Sequence, residues 1–136
     1  MERKQPRNPV KTYRDLIAWQ KAMELARQLY RATAKMPAEE RFCLTNQMRR
    51  AAVSIPSNIA EGNARQSLPD YLKFLRIARG SLAELQTQIE LAVGLEMMAT
   101  TSLLSTLLVE VDRVLQFLIM GLEKKRDGGD RNTGRN

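Results

Sequence analysis

Ser54-Ile55-Pro56-Ser57-Asn58-Ile59-Ala60-Glu61-Gly62 places a proline inside a segment whose apolar residues recur with helical spacing. In a straight helix that proline removes an amide donor and crowds the carbonyl four residues back, that of Ala52, at a cost of roughly 3 kcal/mol or more. The residues around it are suited to offset the loss. Ser54, Ser57, Asn58 and Glu61 alternate with Ile55, Ile59 and Ala60, so one face can pack while the other offers hydroxyl, amide and carboxylate groups to freed backbone or to a neighbouring helix. Asn58 and Glu61, three residues apart, lie on one side. The stretch reads as a kinked helix with a polar bracket, ending at Gly62. A ligand or catalytic site is the sharper alternative, but a carboxylate with no nucleophile or histidine nearby is a poor start for catalysis.

Outward from this stretch the same helical period recurs. On the N-terminal side a first helix should begin near Asp15, a plausible cap, and run to about Lys35. Leu16, Trp19, Met23, Ala26, Tyr30 and Thr33 form its inward stripe, widened by Ala22, Leu25 and Leu29. Trp19 therefore reads as an interior anchor. Arg27, Arg31 and Lys35 stack four apart on the other side, either a solvated face or a row for an anionic partner. Pro37, Glu39 and Glu40 have the look of a first helical turn, after which Leu44, Met48, Ala51, Ile55 and Ile59 point inward. Of the adjacent Arg49 and Arg50, at least one should face another helix or subunit. Glu61 and Glu84 are the available carboxylate partners.

On the C-terminal side, Ser67-Leu68-Pro69-Asp70 reads as a cap with proline in the first turn. The third helix runs to about Leu95 and buries Leu72, Leu75, Ala78, Leu82, Leu85, Ile89 and Ala92 or Val93. Its Gly80 and Ser81 would admit a close neighbour. Thr101 or Ser102 can cap the last helix, whose stripe from Leu103 to Leu122 is wider than one packed face requires. That excess points to contact with a second subunit. Residues 1–12 read as a flexible basic arm, 13–123 as the helical body, and 124–136 as a disordered basic tail. Four helices of about 21 to 27 residues joined by short connections predict an all-α, antiparallel up-down-up-down four-helix bundle.

The composition limits what this body can do. With 136 residues and 43% of them apolar, one domain with a real core is expected. Histidine is absent, and the single cysteine, Cys43, reads as a small buried apolar residue. No Cys/His metal cluster can be assembled, and no cofactor is expected. No signal-peptide pattern or bilayer-length apolar run is present in the sequence, so the cytoplasm is the expected location.

The net charge of +7 lies in the tails: +4 in residues 1–14 and +3 in residues 124–136, with the intervening body neutral. Inside the body, residues 41–79 sum to +5 and residues 84–123 to −5. Such separation suits either a polyanion or head-to-tail subunit packing.

Four runs then carry a family resemblance: Leu16 to Ala22, Leu44 to Ala52, Ser54 to Gly62, and Phe74 to Gln88. Over about residues 13–98 the chain resembles the four-helix-bundle family named for proteins encoded in intervening sequences of bacterial 23S rRNA genes. The family motif maps to Arg49, Arg50, Ser54, Pro56, Asn58, Glu61, Gly62, Ser81 and Glu84, to which structural roles are assigned first. Departures fall at Ala64-Arg65, where many relatives have a glycine before the basic residue, and at Arg79. The resemblance implies a cytosolic ring, commonly of five subunits. The family is also similar to the accessory protein of diversity-generating retroelements, which associates with a reverse transcriptase and nucleic acid. It implies no enzymatic activity and supplies no catalytic residue.

The expected function is therefore a non-enzymatic homo-oligomer that engages RNA or DNA phosphates without reading sequence. The candidate contacts are Arg27, Arg31, Lys35, Arg49, Arg50, Arg65, Lys73, Arg76 and Arg79. Few aromatic residues are available for base stacking. A protein adaptor ring is the alternative, with a reverse-transcriptase-like or other protein as partner and no membrane.

Overall fold

A computed structural model describes the backbone of residues 10–133 and the side chains of residues 10–129. Most of the expected basic arm, residues 1–9, lies outside the described residues, as do residues 134–136 of the expected tail. Four helices follow one another: α1 (Ile17–Thr33), α2 (Leu44–Ala64), α3 (Leu68–Gly94) and α4 (Ser102–Thr133). Each packs on its neighbour in sequence, and α4 closes the square against α1. This is the expected antiparallel four-helix bundle, with no strand among the described residues.

The helix ends are set by local chemistry. α1 is entered through a 3-10 turn, Tyr13–Asp15, capped by Thr12 rather than by Asp15. The Thr12 hydroxyl accepts the N–H of Arg14 at 3.2 Å, and the Asp15 carboxylate reaches back to the N–H groups of Lys11 at 2.9 Å and Thr12 at 3.2 Å. Those donors, Lys11 foremost, hold the Asp15 carboxyl below its ordinary 3.8. Pro37 opens a separate 3-10 turn, Ala38–Glu40, and α2 starts only at Leu44, whose N–H is accepted by the Glu40 carboxylate at 3.2 Å. Cys43 lies at this break and is exposed, against the buried position expected from its residue type.

α3 is capped by Ser67, whose hydroxyl accepts the N–H of Asp70. It ends in a Schellman arrangement: Met97 N–H donates to Ala92 and Glu96 N–H to Val93. Glu96 occupies the left-handed position of that turn, with φ of 59°. Thr101 caps α4 through the N–H of Leu104. α4 does not stop where the tail was expected to begin at Lys124 but continues to Thr133. Lys124, Lys125 and Arg126 are good helix formers and carry the helix past Glu123, whereas Gly128 and Gly129 lie within it at a cost of about 1 kcal/mol each.

The core lies along the bundle axis. Leu25, Leu29, Met48, Ile55, Ile59, Leu75, Leu85 and Leu115 are fully buried within it. On α1 the buried line is Ala18, Ala22, Leu25, Leu29 and Thr33. The expected line through Trp19, Met23 and Tyr30 is thus rotated toward the outside: Tyr30 is 43% exposed, and Trp19 only packs against the edge of the core. Small Ala18 and Ala22 let the helices approach, which makes theirs the central face. On α3 the choice between Ala92 and Val93 falls to Ala92, and Gln88 is buried as well. On α4, Leu104, Val111, Leu115 and Ile119 are buried, whereas Val109, Phe117 and Met120 form an exposed stripe together with Arg113.

Candidate nucleic-acid interface

The motif helix carries its proline within a polar bracket whose bonds go to the Val53 and Ser54 carbonyls, not to the Ala52 carbonyl that the proline frees. α2 runs unbroken through a buried Pro56. Asn58 donates to the Ser54 carbonyl at 2.8 Å and to the Ser54 hydroxyl at 2.9 Å, and Ser57 donates to the Val53 carbonyl at 2.7 Å. The Ser54 hydroxyl also meets that of Ser81 on α3 at 2.8 Å. The polar bracket thus closes on itself and on the next helix. Glu61 takes no part in it: it pairs with Arg65 at 3.1 Å, one turn on. Glu84 accepts a bond from Gln88 at 3.2 Å and meets neither arginine of the motif.

Gly62 does not end α2. A methyl group there would lie 2.8 Å from Cβ of Phe74 and 3.2 Å from the ring of Tyr71, so α2 and α3 approach too closely at this residue for a side chain. Tyr71 is itself held there, its hydroxyl 3.4 Å from the Asn63 amide. Burial pushes that hydroxyl above its ordinary 10.0, with the Asn63 bond acting in the opposite sense. Ser81, as expected, lies on the α2 side, but nothing within 4 Å would meet a side chain at Gly80.

Arg49 turns back toward α1 rather than finding a carboxylate. Its Nε donates to Thr33 Oγ1 at 3.0 Å, a terminal nitrogen reaches the Tyr30 carbonyl at 3.4 Å, and the guanidinium lies 4.6 Å from the Tyr30 ring centroid. A cation at the C-terminal end of α1 answers the partial negative charge of its last carbonyls, which is why no acid is needed.

These contacts frame two depressions on the outer face of α1 and α2. The larger, of about 660 Å³, is lined by Trp19, Met23, Ala26 and Tyr30 of α1 and by Val53, Pro56 and Ala60 of α2. Arg27 and Arg31 stand on its rim, and Tyr13 closes one end. The Tyr13 and Trp19 rings meet edge to face, centroids 5.2 Å apart. The smaller, of about 520 Å³, holds Asn46, Arg49 and Arg50 beside Ser54. Tyr30 and Val53 belong to both.

Of the nine basic candidates, four are brought to this face: Arg27, Arg31, Arg49 and Arg50. Arg27 pairs with Glu24 at 3.1 Å. The Glu24 carboxyl is held below its ordinary 4.5, first by the Gln28 amide and further by Arg27 and Arg31. Arg31 and Arg50 form no hydrogen bond or ion pair among the described residues. Lys35 lies past the end of α1, outside both depressions. The rest are elsewhere: Arg65 is paired with Glu61 and lies over the Phe74 ring, Lys73 is exposed on α3, and Arg76 and Arg79 reach α4 at Glu123 and Asp112. Part of the charge separation along the sequence is therefore spent inside one subunit. What sequence reasoning missed is the aromatic groove, because Trp19, Met23 and Tyr30 share the helical period of the core. The signal was present in Ala18 and Ala22, which compete for the same inward face.

An all-α bundle with a polar-bracketed proline in its second helix, locked to the third through a serine pair and a glycine crossing, defines a narrow class of protein. The model of the 23S rRNA-intervening sequence proteins matches residues 14–119, and the chain belongs to that family. The match reaches well into α4, beyond the motifs that end near residue 98. A crystal structure of a protein of unknown function from the S23 ribosomal protein family of Bacteroides thetaiotaomicron shares the fold. It has a TM-score of 0.67 and 24% identity, covering 76% of this chain and 96% of the other. No curated protein matches the chain.

Proposed function

We propose that this protein is a non-enzymatic, homo-oligomeric binding protein of the cytoplasm that engages RNA or DNA phosphates through basic surfaces without reading base sequence. The observation that carries the reading is a face that gathers four guanidinium groups, Arg27, Arg31, Arg49 and Arg50. Of these, Arg31 and Arg50 form no hydrogen bond or ion pair among the described residues, although Glu24, the acid paired with Arg27, also feels the charge of Arg31. Cations outside ion pairs are available to release counterions from a polyanion, which is the sequence-independent part of nucleic-acid affinity. Ser54, Asn58 and Ser81 of the motif, by contrast, are engaged with backbone and with one another, which favours an architectural role for them over catalysis.

Self-association is favoured by α4. Phe117 is 81% exposed and lies on one stripe with Val109 and Met120, three large apolar side chains interrupted by the exposed Arg113 and left without a partner in the isolated subunit. A ring, of five copies by family resemblance, would multiply each basic face and raise affinity through avidity. The same stripe supports the second reading, an adaptor ring that presents helix faces to another protein.

Electrophoretic retardation of RNA and DNA at increasing salt, beside sedimentation of the free protein, tests the proposal. Retardation should fall steeply with salt for both nucleic acids. Absence of retardation at low salt, with the oligomer intact, leaves the adaptor. Deleting residues 1–9 and 130–136, which spares the Thr12 cap, removes +3 of the +7 and tells whether these outer segments contribute to holding the polyanion.

A further inference from the structure

We infer that the groove between α1 and α2 takes unpaired nucleobases, which stack on Trp19 and Tyr30 while Arg31 and Arg50 hold the flanking phosphates. The inference rests on the nucleic-acid reading above and narrows it to single strands. A purely phosphate-binding surface needs cations and no cleft, yet here the cations border an open, mostly apolar groove of about 660 Å³. That volume falls in the range of small-ligand clefts and suits planar groups rather than a backbone alone.

The two aromatic side chains are held in place before any ligand arrives. Tyr30 stands between the two depressions, with the Arg49 guanidinium 4.6 Å from its ring on the side of the smaller one. Arg49 is in turn fixed by Thr33 and by the Tyr30 carbonyl. At the other end the edge contact from Tyr13 steadies Trp19, and Tyr13 itself carries Arg14 at 4.7 Å. Rings immobilised in advance lose little entropy when a base stacks on them. Asn46 and Arg50 line the polar depression next to the ring, where a phosphate one nucleotide along would fall. Scarcity of aromatic residues in the sequence argued against stacking; their convergence on one groove reverses that argument. Every base has a flat face, so such a site tolerates any sequence. A duplex keeps those faces stacked internally and offers nothing to the groove.

Trp19 is the single tryptophan, so its emission reports on the groove in the full-length protein. Titration with oligodeoxythymidylate or oligouridylate at low salt should quench that emission in parallel with electrophoretic retardation. A duplex of equal length should bind through phosphates with little quenching. Tyr30→Ala should weaken single-strand binding roughly tenfold, the scale of one lost base–aromatic stack, and Tyr30→Phe should restore it. Because Tyr30 also supports Arg49, Val53→Glu serves as a second variant: Val53 is 44% exposed on the groove wall, so an acid there repels phosphate without entering the core. It should reduce single-strand binding while helical circular dichroism stays unchanged.

Retardation with unchanged Trp19 emission, and with both variants binding as the parent does, overturns the groove while the proposed function stands. Equal quenching by duplex and single strand overturns the preference for unpaired bases. Quenching by an acidic amphipathic peptide but by no oligonucleotide makes the groove a protein site and likewise overturns it. If no nucleic acid is retarded even at low salt, the broader reading falls as well.

Discussion

The seam between α2 and α3 and the outer face of α1 and α2 use the same kinds of residue to opposite ends. At the seam, Ser54, Asn58 and Ser81 spend their polar atoms on one another and on backbone, and Gly62 gives up its side chain so that Phe74 can approach. Across the outer face, Arg31 and Arg50 keep their charge without an ion pair, and Trp19 and Tyr30 keep part of their rings in solvent. The serine and asparagine part of the motif thus belongs to the seam, with its polar atoms engaged there, whereas its Arg49, Arg50 and Pro56 face the outer depressions. The aromatic groups beside them, Trp19 and Tyr30, come from α1.

The contrast is sharpest at glycine. Gly62→Ala should destabilise the protein by about 1–3 kcal/mol, the usual cost of forcing volume into a packed site, even though alanine is the better helix former by about 1 kcal/mol. Gly80→Ala on α3, where nothing lies within 4 Å, should move stability the other way by about 0.5–1 kcal/mol. Denaturant unfolding of the two variants decides the matter, and melting shifts of the same sign would break the distinction between seam and surface.

The next largest effect concerns the serine pair. Ser54→Ala removes the partner of Ser81 and one acceptor of Asn58, and should cost about 1–2 kcal/mol. Ser81→Ala should cost less, since Asn58 keeps both of its acceptors. The double variant should fall short of the sum by about 0.5–1 kcal/mol. Strict additivity would mean that the two hydroxyls do not cooperate across the seam.

Much of this architecture was legible in advance. Helical period, the Ser67 and Thr101 caps and the proline bracket follow from local rules that act within a few residues, so α3, the middle of α2 and most of the core could be read directly. The first turn expected at Pro37, by contrast, is a separate 3-10 turn, and α2 begins only at Leu44. The azimuth of α1 was legible only in part. The expected inward stripe held Ala22, Leu25, Leu29 and Thr33, which are buried, but it was centred on Trp19, Met23 and Tyr30 and omitted Ala18, and only contact with α2 and α4 narrows it. The end of α2 was misplaced for a related reason: a glycine that stops a helix and a glycine that admits a neighbour are identical in sequence. Arg49 shows the remaining gap. Its partner is a helix end, a feature of backbone geometry that no residue type announces.

A smaller effect is expected where α3 turns into α4. Glu96 holds φ of 59°, a conformation that favours glycine, so Glu96→Gly should stabilise the protein by about 0.5–1 kcal/mol and raise its melting temperature. Because this turn belongs to neither compared region, oligonucleotide binding should be unaffected. A loss of stability would indicate that the carboxylate makes a contact worth more than the backbone strain.

The smallest effect joins the groove to pH. The Asp15 carboxyl lies below its ordinary 3.8 because the N–H groups of Lys11 and Thr12 point at its charged form. A depressed carboxyl contributes fully at pH values above the unfolded pKa, and the contribution is lost as pH falls through the folded one. Acidification past that ordinary value should therefore release the cap, free the turn that carries Tyr13, and loosen its edge contact with Trp19. Trp19 emission should shift over that window while helical circular dichroism changes little. Asp15→Asn, which lacks the charge at every pH, should show the shifted emission already at neutrality. Glu24 is also depressed, chiefly by the Gln28 amide, and titrates nearby on α1. Glu24→Gln should leave the acid shift in place, and its disappearance in that variant would assign the effect to the rim of the groove rather than to the cap.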